Sequence, residues 1–426
     1  MAECLFLTFF ILLLIGVPIS ICLALASATA MLLYSDFSLD VIVTKFYSAS
    51  DSFPLVAIPF FVMAGSIMSK GGMSQRLINL ALSVVGSIRG GLAMVSVIAC
   101  MFFSCVSGST AATTAAIGVV LVPAIIKTGF SPGAATSLQA TAGSIGIIIP
   151  PSLPFVLLGV ISGISIGELF LGGVIPGIIV GIALMAVAHF TARIQNHPPS
   201  GEPVSLSRIA KAFYHSILSL LTVVFILGGI MLGLVTPTEA AIVAVVWSLI
   251  VCLFIYRELS LKDFPDILIG TVKITGIVVL CIGASSPFAW LMTVEHIPSQ
   301  VATALMSLTD NPLVIKLIMI ALLLVVGTFI DLTPAMILLF PILMPIATQL
   351  GMQPVHFGVM MVMALGIGQC TPPVGIALFV ACSVSKTKIG DVVMPLVPYL
   401  LAMIVVLLLT GFIPALATWL PGQLMN

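Results

Sequence analysis

Asp331 is a carboxylate inside a largely apolar stretch, Leu313 to Ile346. An unpaired charge in such surroundings is expensive, so it should face a cation or a polar cavity. The same residue could also cap a helix near an interface. Its neighbours read Gly327-Thr328-Phe329-Ile330-Asp331-Leu332-Thr333-Pro334. A second polar run, Ser104 to Thr114, contains Ser107-Gly108-Ser109-Thr110 and then Thr113-Thr114. Its hydroxyls offer the oxygen ligands that hard cations such as Na⁺ take, and its small side chains let backbone approach a ligand. Small residues also tighten helix packing, which is the plainer reading of the same run.

Two further segments cannot be continuous helix. Gly143-Ser144-Ile145-Gly146 leads into Pro150-Pro151-Ser152, and Gly366-Ile367-Gly368-Gln369-Cys370-Thr371 leads into Pro372-Pro373. Proline removes donors and clashes with the preceding turn. Each break frees carbonyls for a cation and opens a helix N-terminus to an anion, unless it is only a hinge kink. Thr236-Pro237-Thr238-Glu239 opens a further helix, where Pro and Glu suit the first turn and a structural role is at least as natural as ligand binding.

These segments recur at one offset, 222 (372 − 150). It joins Pro150 to Pro372, Pro123 to Pro345, Gly129 to Gly351, Pro132 to Pro354, Pro176 to Pro398 and Ser109 to Asp331. The chain is therefore read as two repeats, 1–195 and 216–426, joined by the linker 196–215. Each contains a re-entrant hairpin (106–127 and 329–349) and a broken helix (149–154 and 371–375). Broken hydrophobic segments at matching places in two halves point to the substrate site of a secondary transporter.

The elements that carry these residues must lie in lipid. Of 426 residues, 61% are hydrophobic and 7% charged, with a mean hydropathy of +1.33. A soluble domain carries about 25% charged residues. The expected fold class is an all-α polytopic membrane protein. Candidate spans include 5–33, 54–68, 91–105, 274–293 and 313–328, and amphipathic stretches at 38–49 and 260–273 read as interface helices. The segment from Cys4 to Leu33 lacks the basic flank of a secretory signal and reads as the first membrane helix. Net charge is zero, with no basic block for nucleic acid. The eight cysteines form no C-x-x-C and read as apolar packing residues, so no metal beyond Na⁺ is expected.

Basic residues in 191–215 and at Lys386 and Lys388 put both loops in the cytoplasm by the positive-inside rule, which suits repeats of inverted orientation. Two observations conflict with that scheme. Five candidate spans separate those loops, an odd number, and the loop 69–90 is basic as well.

Ile58-Pro59-Phe60-Phe61-Val62-Met63-Ala64-Gly65, Ser107-Gly108-Ser109-Thr110-Ala111-Ala112, Ile149-Pro150-Pro151-Ser152, Thr236-Pro237-Thr238-Glu239-Ala240-Ala241 and Thr371-Pro372-Pro373-Val374-Gly375 occur in that order across nearly the whole chain. This set resembles the large membrane subunit of a TRAP (tripartite ATP-independent periplasmic) transporter. The resemblance implies an elevator-type transport domain moving against a scaffold in the bacterial inner membrane. It implies a Na⁺ gradient as the drive and a periplasmic substrate-binding protein that delivers an organic acid of the sialic acid or C4-dicarboxylate type. It also implies a small four-helix membrane partner. With no extra helices before the repeat, that partner is expected as a separate chain. The expected docking region is 5–33 and 54–68, where Gly16, Ala24, Ala26, Ala28 and Ala64-Gly65 allow close approach.

By position, substrate contacts are expected at Ser109, Ser152, Asp331 and Thr371. Sodium contacts are expected at Ser107, Gly108, Gly146, Pro150, Gly327, Asp331, Gly368 and Pro372. A stand-alone Na⁺/dicarboxylate symporter of the divalent-anion type is the alternative. A proton-pumping subunit would need several intramembrane carboxylates and lysines in series, and an intramembrane protease a Ser-His pair or a second Asp. Neither pattern is present, so no enzyme is expected.

Overall fold

The computed structural model describes residues 1–35, 37–85, 88–197, 205–309 and 311–425, without the side chains of 105–107, 305 and 308. Part of the linker 196–215 and the side chain of Ser107 therefore lie outside the described residues. The first half contains α1 (Ala2–Leu14), α2 (Ile19–Tyr34), α3 (Asp40–Ser50), α4 (Ala57–Lys70), α5 (Met73–Val85), α6 (Gly91–Ser107), α7 (Thr110–Lys127), α8 (Pro132–Ile145), α9 (Leu153–Ser162) and α10 (Ile166–Ile194). The second contains α11 (Leu206–Met231), α12 (Pro237–Leu249), α13 (Phe264–Val294), α14 (Ile297–Leu308), α15 (Pro312–Phe329), α16 (Leu332–Gln349), α17 (Pro354–Gly368), α18 (Ile376–Ser385), α19 (Ile389–Phe412) and α20 (Ala415–Leu424). From α6 to α9 and from α15 to α18 the two halves correspond helix by helix.

The limbs of the hairpins are α6 with α7 and α15 with α16. The candidate spans 91–105 and 313–328 are thus entering limbs that stop at a tip, at Gly108-Ser109 and Ile330-Asp331. Removing 313–328 from the crossings leaves an even number between the linker and Lys386–Lys388. Two other segments differ from the sequence reading. Gly16 (φ +87°) and Pro18 divide 5–33 into the packed pair α1 and α2. The stretch 260–273 is not a separate interface helix, because most of it continues without a break into the 31-residue α13. In the first half, α3 and α4 remain separate, parted by a single 3₁₀ turn, Phe53–Val56.

Polar contacts sort the loops onto two faces. On one, Lys70 pairs with Asp266 (3.0 Å) and Arg76 with Glu258 (2.7 Å). There too the Arg76 carbonyl accepts from Ser216 (2.8 Å), the Arg89 carbonyl meets His189 (3.0 Å), and Thr136 meets Thr387 (3.3 Å). The described residues of 69–90 therefore share a face with the described ends of 191–215 and with 386–388, which removes the second conflict. On the other face the amino terminus lies 3.5 Å from Glu295. Glu168 and Glu239 open helices there. The first hairpin enters beside Arg89, from the basic face, and the second follows α14, from the acidic face. This is the inverted arrangement.

The innermost helices are α8 and α17, which are buried along nearly their whole length. Around them stand the hairpins, α9 and α18. On the outside, α4 packs on α12 and α13. Ala64, Gly65 and Ala26 are buried in the chain's own packing, so 54–68 is not an open docking strip. The described cysteines other than Cys4 are buried.

Candidate functional site

The two hairpin tips reach the middle of the molecule from opposite faces, and each ends in a polar cap. Ser109 is the N-cap of α7 and accepts from the Ala112 amide at 3.3 Å. Asp331 is the N-cap of α16, where Oδ1 accepts from the Leu332 amide at 2.8 Å. Gly108 turns the first tip with φ +58°, and a Cβ there would lie 2.7 Å from the Leu153 Cβ. That contact seats the tip on the N-terminus of α9. In the second half, the Gly375 amide donates to the Thr328 carbonyl (3.1 Å), which joins the tip region to the start of α18.

Between the tips lies a cavity of about 370 Å³. One wall is Gly108, Ser109, Thr110, Leu153 and Pro154, and another is Asp331 to Pro334 with Gln369. The facing wall comes from α13 (Ile274, Ile277, Val278, Cys281), the start of α2 (Pro18 to Ser20) and Val62 of α4. The N-termini of α7, α9 and α16 therefore open onto one space. Each carries unsatisfied amides and the positive end of a helix dipole. No Lys, Arg or His is among the lining residues. Asp331 is open to the cavity, and its Oδ2 has no hydrogen-bond partner among the described residues.

Residues 6–416 match the family described as the tripartite ATP-independent periplasmic transporter, DctM component. The chain belongs to this family. It is 38% identical over 402 residues to the C4-dicarboxylate TRAP transporter large permease protein DctM of Pseudomonas aeruginosa, covering 94% of each chain. The same figures hold for the 2,3-diketo-L-gulonate TRAP transporter large permease protein YiaN of Escherichia coli. It is 39% identical over 414 residues to the isethionate TRAP transporter permease protein DctMQ of Oleidesulfovibrio alaskensis, and there it spans 97% of its own length but only 65% of the relative's. The fold is like that of the YdaH transporter of Alcanivorax borkumensis, with a TM-score of 0.51 at 16% identity, covering 95% of this chain and 97% of that one. Nine helical stretches among the described residues are long and apolar enough to cross a membrane. This DctM-family chain is a multi-pass protein of the inner membrane and a permease subunit, not an enzyme.

Of the residues singled out in the sequence of this TRAP permease, Gly108, Ser109 and Asp331 line the cavity. The others do not. The Ser152 hydroxyl donates to the Ile147 carbonyl and that of Thr371 to the Ile367 carbonyl (2.8 Å), each closing its own helix break. Pro150 and Pro372 each precede a cis peptide bond within those breaks. Gly327 and Gly368 face each other, since a Cβ on Gly368 would come within 2.6 Å of the Gly327 Cα. Gly146 packs in the same way on the Ser104 side chain. Thr236 and Glu239 form a reciprocal capping box (2.7 and 3.3 Å) at the start of α12, and neither lines the cavity. The sequence offered Thr110 only as one hydroxyl of the first polar run, and it gave no role to Thr333, Cys281 or Gln369, which also line the cavity. The signal for Gln369 was an amide directly after the Gly366-Ile367-Gly368 run, in an otherwise apolar helix end.

Proposed function

We propose that the chain is the Na⁺-coupled permease of a TRAP system that imports a small organic acid. The substrate class is a C4-dicarboxylate or a related anion, as in the names of its relatives, with sialic acids in the same chemical range. A periplasmic binding protein delivers the substrate, and a small membrane subunit supports the scaffold. The observation that carries this reading is the charge make-up of the cavity. An organic anion entering it meets one carboxylate and no cationic side chain. Three helix N-termini, each worth about half a positive charge, favour the anion. A monovalent cation on the free Oδ2 of Asp331, with hydroxyls of Ser109, Thr110 and Thr333 nearby, removes the repulsion. Cation and anion then bind together, which is the requirement for symport.

The apolar wall on α13 supports an elevator. Ile274, Ile277 and Val278 offer the moving polar tips nothing to bond, so sliding breaks no hydrogen bond there. A second cavity of about 310 Å³ lies further along α13, beside Ser285 and Ser286, toward the acidic face. It gives the tips space in that direction.

The test is uptake into proteoliposomes holding this chain and its small partner, with the binding protein outside. The substrate panel is C4-dicarboxylates, isethionate, 2,3-diketo-L-gulonate and sialic acid. Uptake of at least one should require an inward Na⁺ gradient and the binding protein, and be indifferent to ATP. Undiminished uptake with K⁺ on both sides would sink the coupling, and full uptake without the binding protein would favour the stand-alone symporter.

A further inference from the structure

Gln369 is the first residue past α17, almost fully buried, and hydrogen-bonded at both ends of its amide. Its Oε1 accepts from the Thr110 hydroxyl at 2.6 Å, and its Nε2 donates to Asp331 Oδ1 at 2.6 Å. A carboxylate can only accept here, so the amide orientation is fixed by its partners rather than chosen between equivalents. Its own backbone is pinned as well, with the Ala377 amide donating to the Gln369 carbonyl at 2.9 Å. One side chain thus joins the tip of the first hairpin, the break of the second broken helix and the carboxylate of the second hairpin. These belong to different halves that enter from opposite faces.

We propose that Gln369 is the positioning residue of the site, a strut that sets Asp331 and ties the two hairpin tips into one unit. Together with the Leu332 amide it occupies Oδ1, which leaves Oδ2 as the oxygen turned to the cavity. An ion held at Oδ2 therefore acts on a carboxylate already bonded, through Gln369, to Thr110 of the other half. Occupancy at Asp331 is thereby felt at the first tip through the Gln369 amide, in addition to any first-half hydroxyl that the ion itself reaches. This rests on the proposal that Asp331 holds the coupling cation.

Two variants test it in the assembled transporter. Gln369→Leu removes both bonds and is easier to bury. It should raise the Na⁺ concentration for half-maximal uptake about tenfold, the loss expected for a bond to a charged group, with less change in maximal rate. Gln369→Glu has the same shape when protonated and can then donate to Asp331 and accept from Thr110. When ionised it sets two carboxylates against each other, and such pairs hold one proton to high pH. Among the described residues lining the cavity, Asp331 and Cys281 are the only titratable groups, so no described cation is at hand to relieve the pair.

Uptake by Gln369→Glu should therefore approach wild type near pH 5.5 and fall steeply toward about pH 8, while wild type shows no such acid recovery. A merely structural role would not produce recovery by acid. An unchanged Na⁺ requirement in Gln369→Leu, or a Gln369→Glu protein that assembles normally yet shows no acid recovery, overturns the strut. If Gln369→Glu does not assemble, Gln369→Leu decides alone. If wild-type uptake proves independent of Na⁺, the coupling proposal fails instead, and the two failures are distinguishable.

Discussion

Ser109 and Asp331 stand at the same point of the two repeats, each the N-cap of the returning limb of its hairpin, and they face each other across one cavity. The repeat fixes the place, but the residues differ in charge. A serine cap satisfies an amide and adds no charge. An aspartate cap does the same with Oδ1 and still offers Oδ2. The inverted fold thus makes two equivalent tips, and one substitution makes only one of them anionic.

Asp331→Asn keeps the shape and the cap while removing the charge. Na⁺-dependent uptake should fall by about ten- to a hundredfold, the range for losing an interaction with a charged group. Insertion into the membrane should stay near normal, because a neutral amide is easier to hold there. Uptake assays beside quantified membrane protein check this, and wild-type uptake would make Asp331 a cap and no more.

The glycines expected to bind sodium have a packing role that can be tested separately. A Cβ on Gly368 would lie 2.6 Å from the Gly327 Cα and 2.8 Å from the Leu324 carbonyl, both backbone. α15 and α17 would have to part, at the cost of an overpacked core, about 1–3 kcal/mol. Gly368→Ala should therefore lower the melting temperature in detergent. Gly276→Ala is the control. Nothing lies within 4 Å of a Cβ there, so it should be neutral or stabilising by up to about 1 kcal/mol.

Much of the fold was legible because Gly and Pro mark backbone breaks wherever they fall. The offset of 222 paired Ser109 with Asp331 and Pro150 with Pro372, but the hairpins expected at 106–127 and 329–349 span only the returning limbs, α7 and α16. The limbs were harder to assign. A limb of 17 or 18 residues, such as α6 or α15, has the length and hydropathy of a full span. What stops it is only Gly108-Ser109 or Ile330-Asp331. The reach of α13 was missed because no breaker lies between 273 and 274. The docking strip at 54–68 was misjudged because hydropathy does not separate a lipid-facing helix from one facing protein, and α4 faces α12. At the site, the charged residue announced itself. Gln369 did not, because an amide becomes informative only once its two partners are known.

The small membrane partner gives a prediction at the level of assembly. Tagged chain expressed with that subunit should purify in detergent as a heterodimer, and the chain alone should transport more slowly. Cross-linkers at Ala64 or Gly65 should not capture the partner, since both residues are buried against the chain's own helices. Capture there would show that α4 and α12 separate in the assembled complex.

The two faces give the last prediction, on which the direction of transport depends. Lys70, Arg76, Arg89, Arg193, Lys211, Lys386 and Lys388 fall on one side by the contacts that join their loops. Glu168, Glu239 and Glu295 fall on the other. Retention of basic loops on the cytoplasmic side fixes the orientation. The acidic face is then periplasmic, where a binding protein must dock. Leu232 is exposed in the turn between α11 and α12 on that face, and Lys211 is exposed on the basic face. In intact cells an impermeant thiol reagent should label Leu232→Cys and leave Lys211→Cys untouched until the membrane is opened, with the wild-type chain as the blank for native cysteines. The reverse pattern would turn the molecule over. The second hairpin would then enter from the cytoplasm, the cavity beside Ser285 would lie toward the cytoplasm, and the delivery of substrate from a periplasmic protein to the acidic face would no longer be tenable.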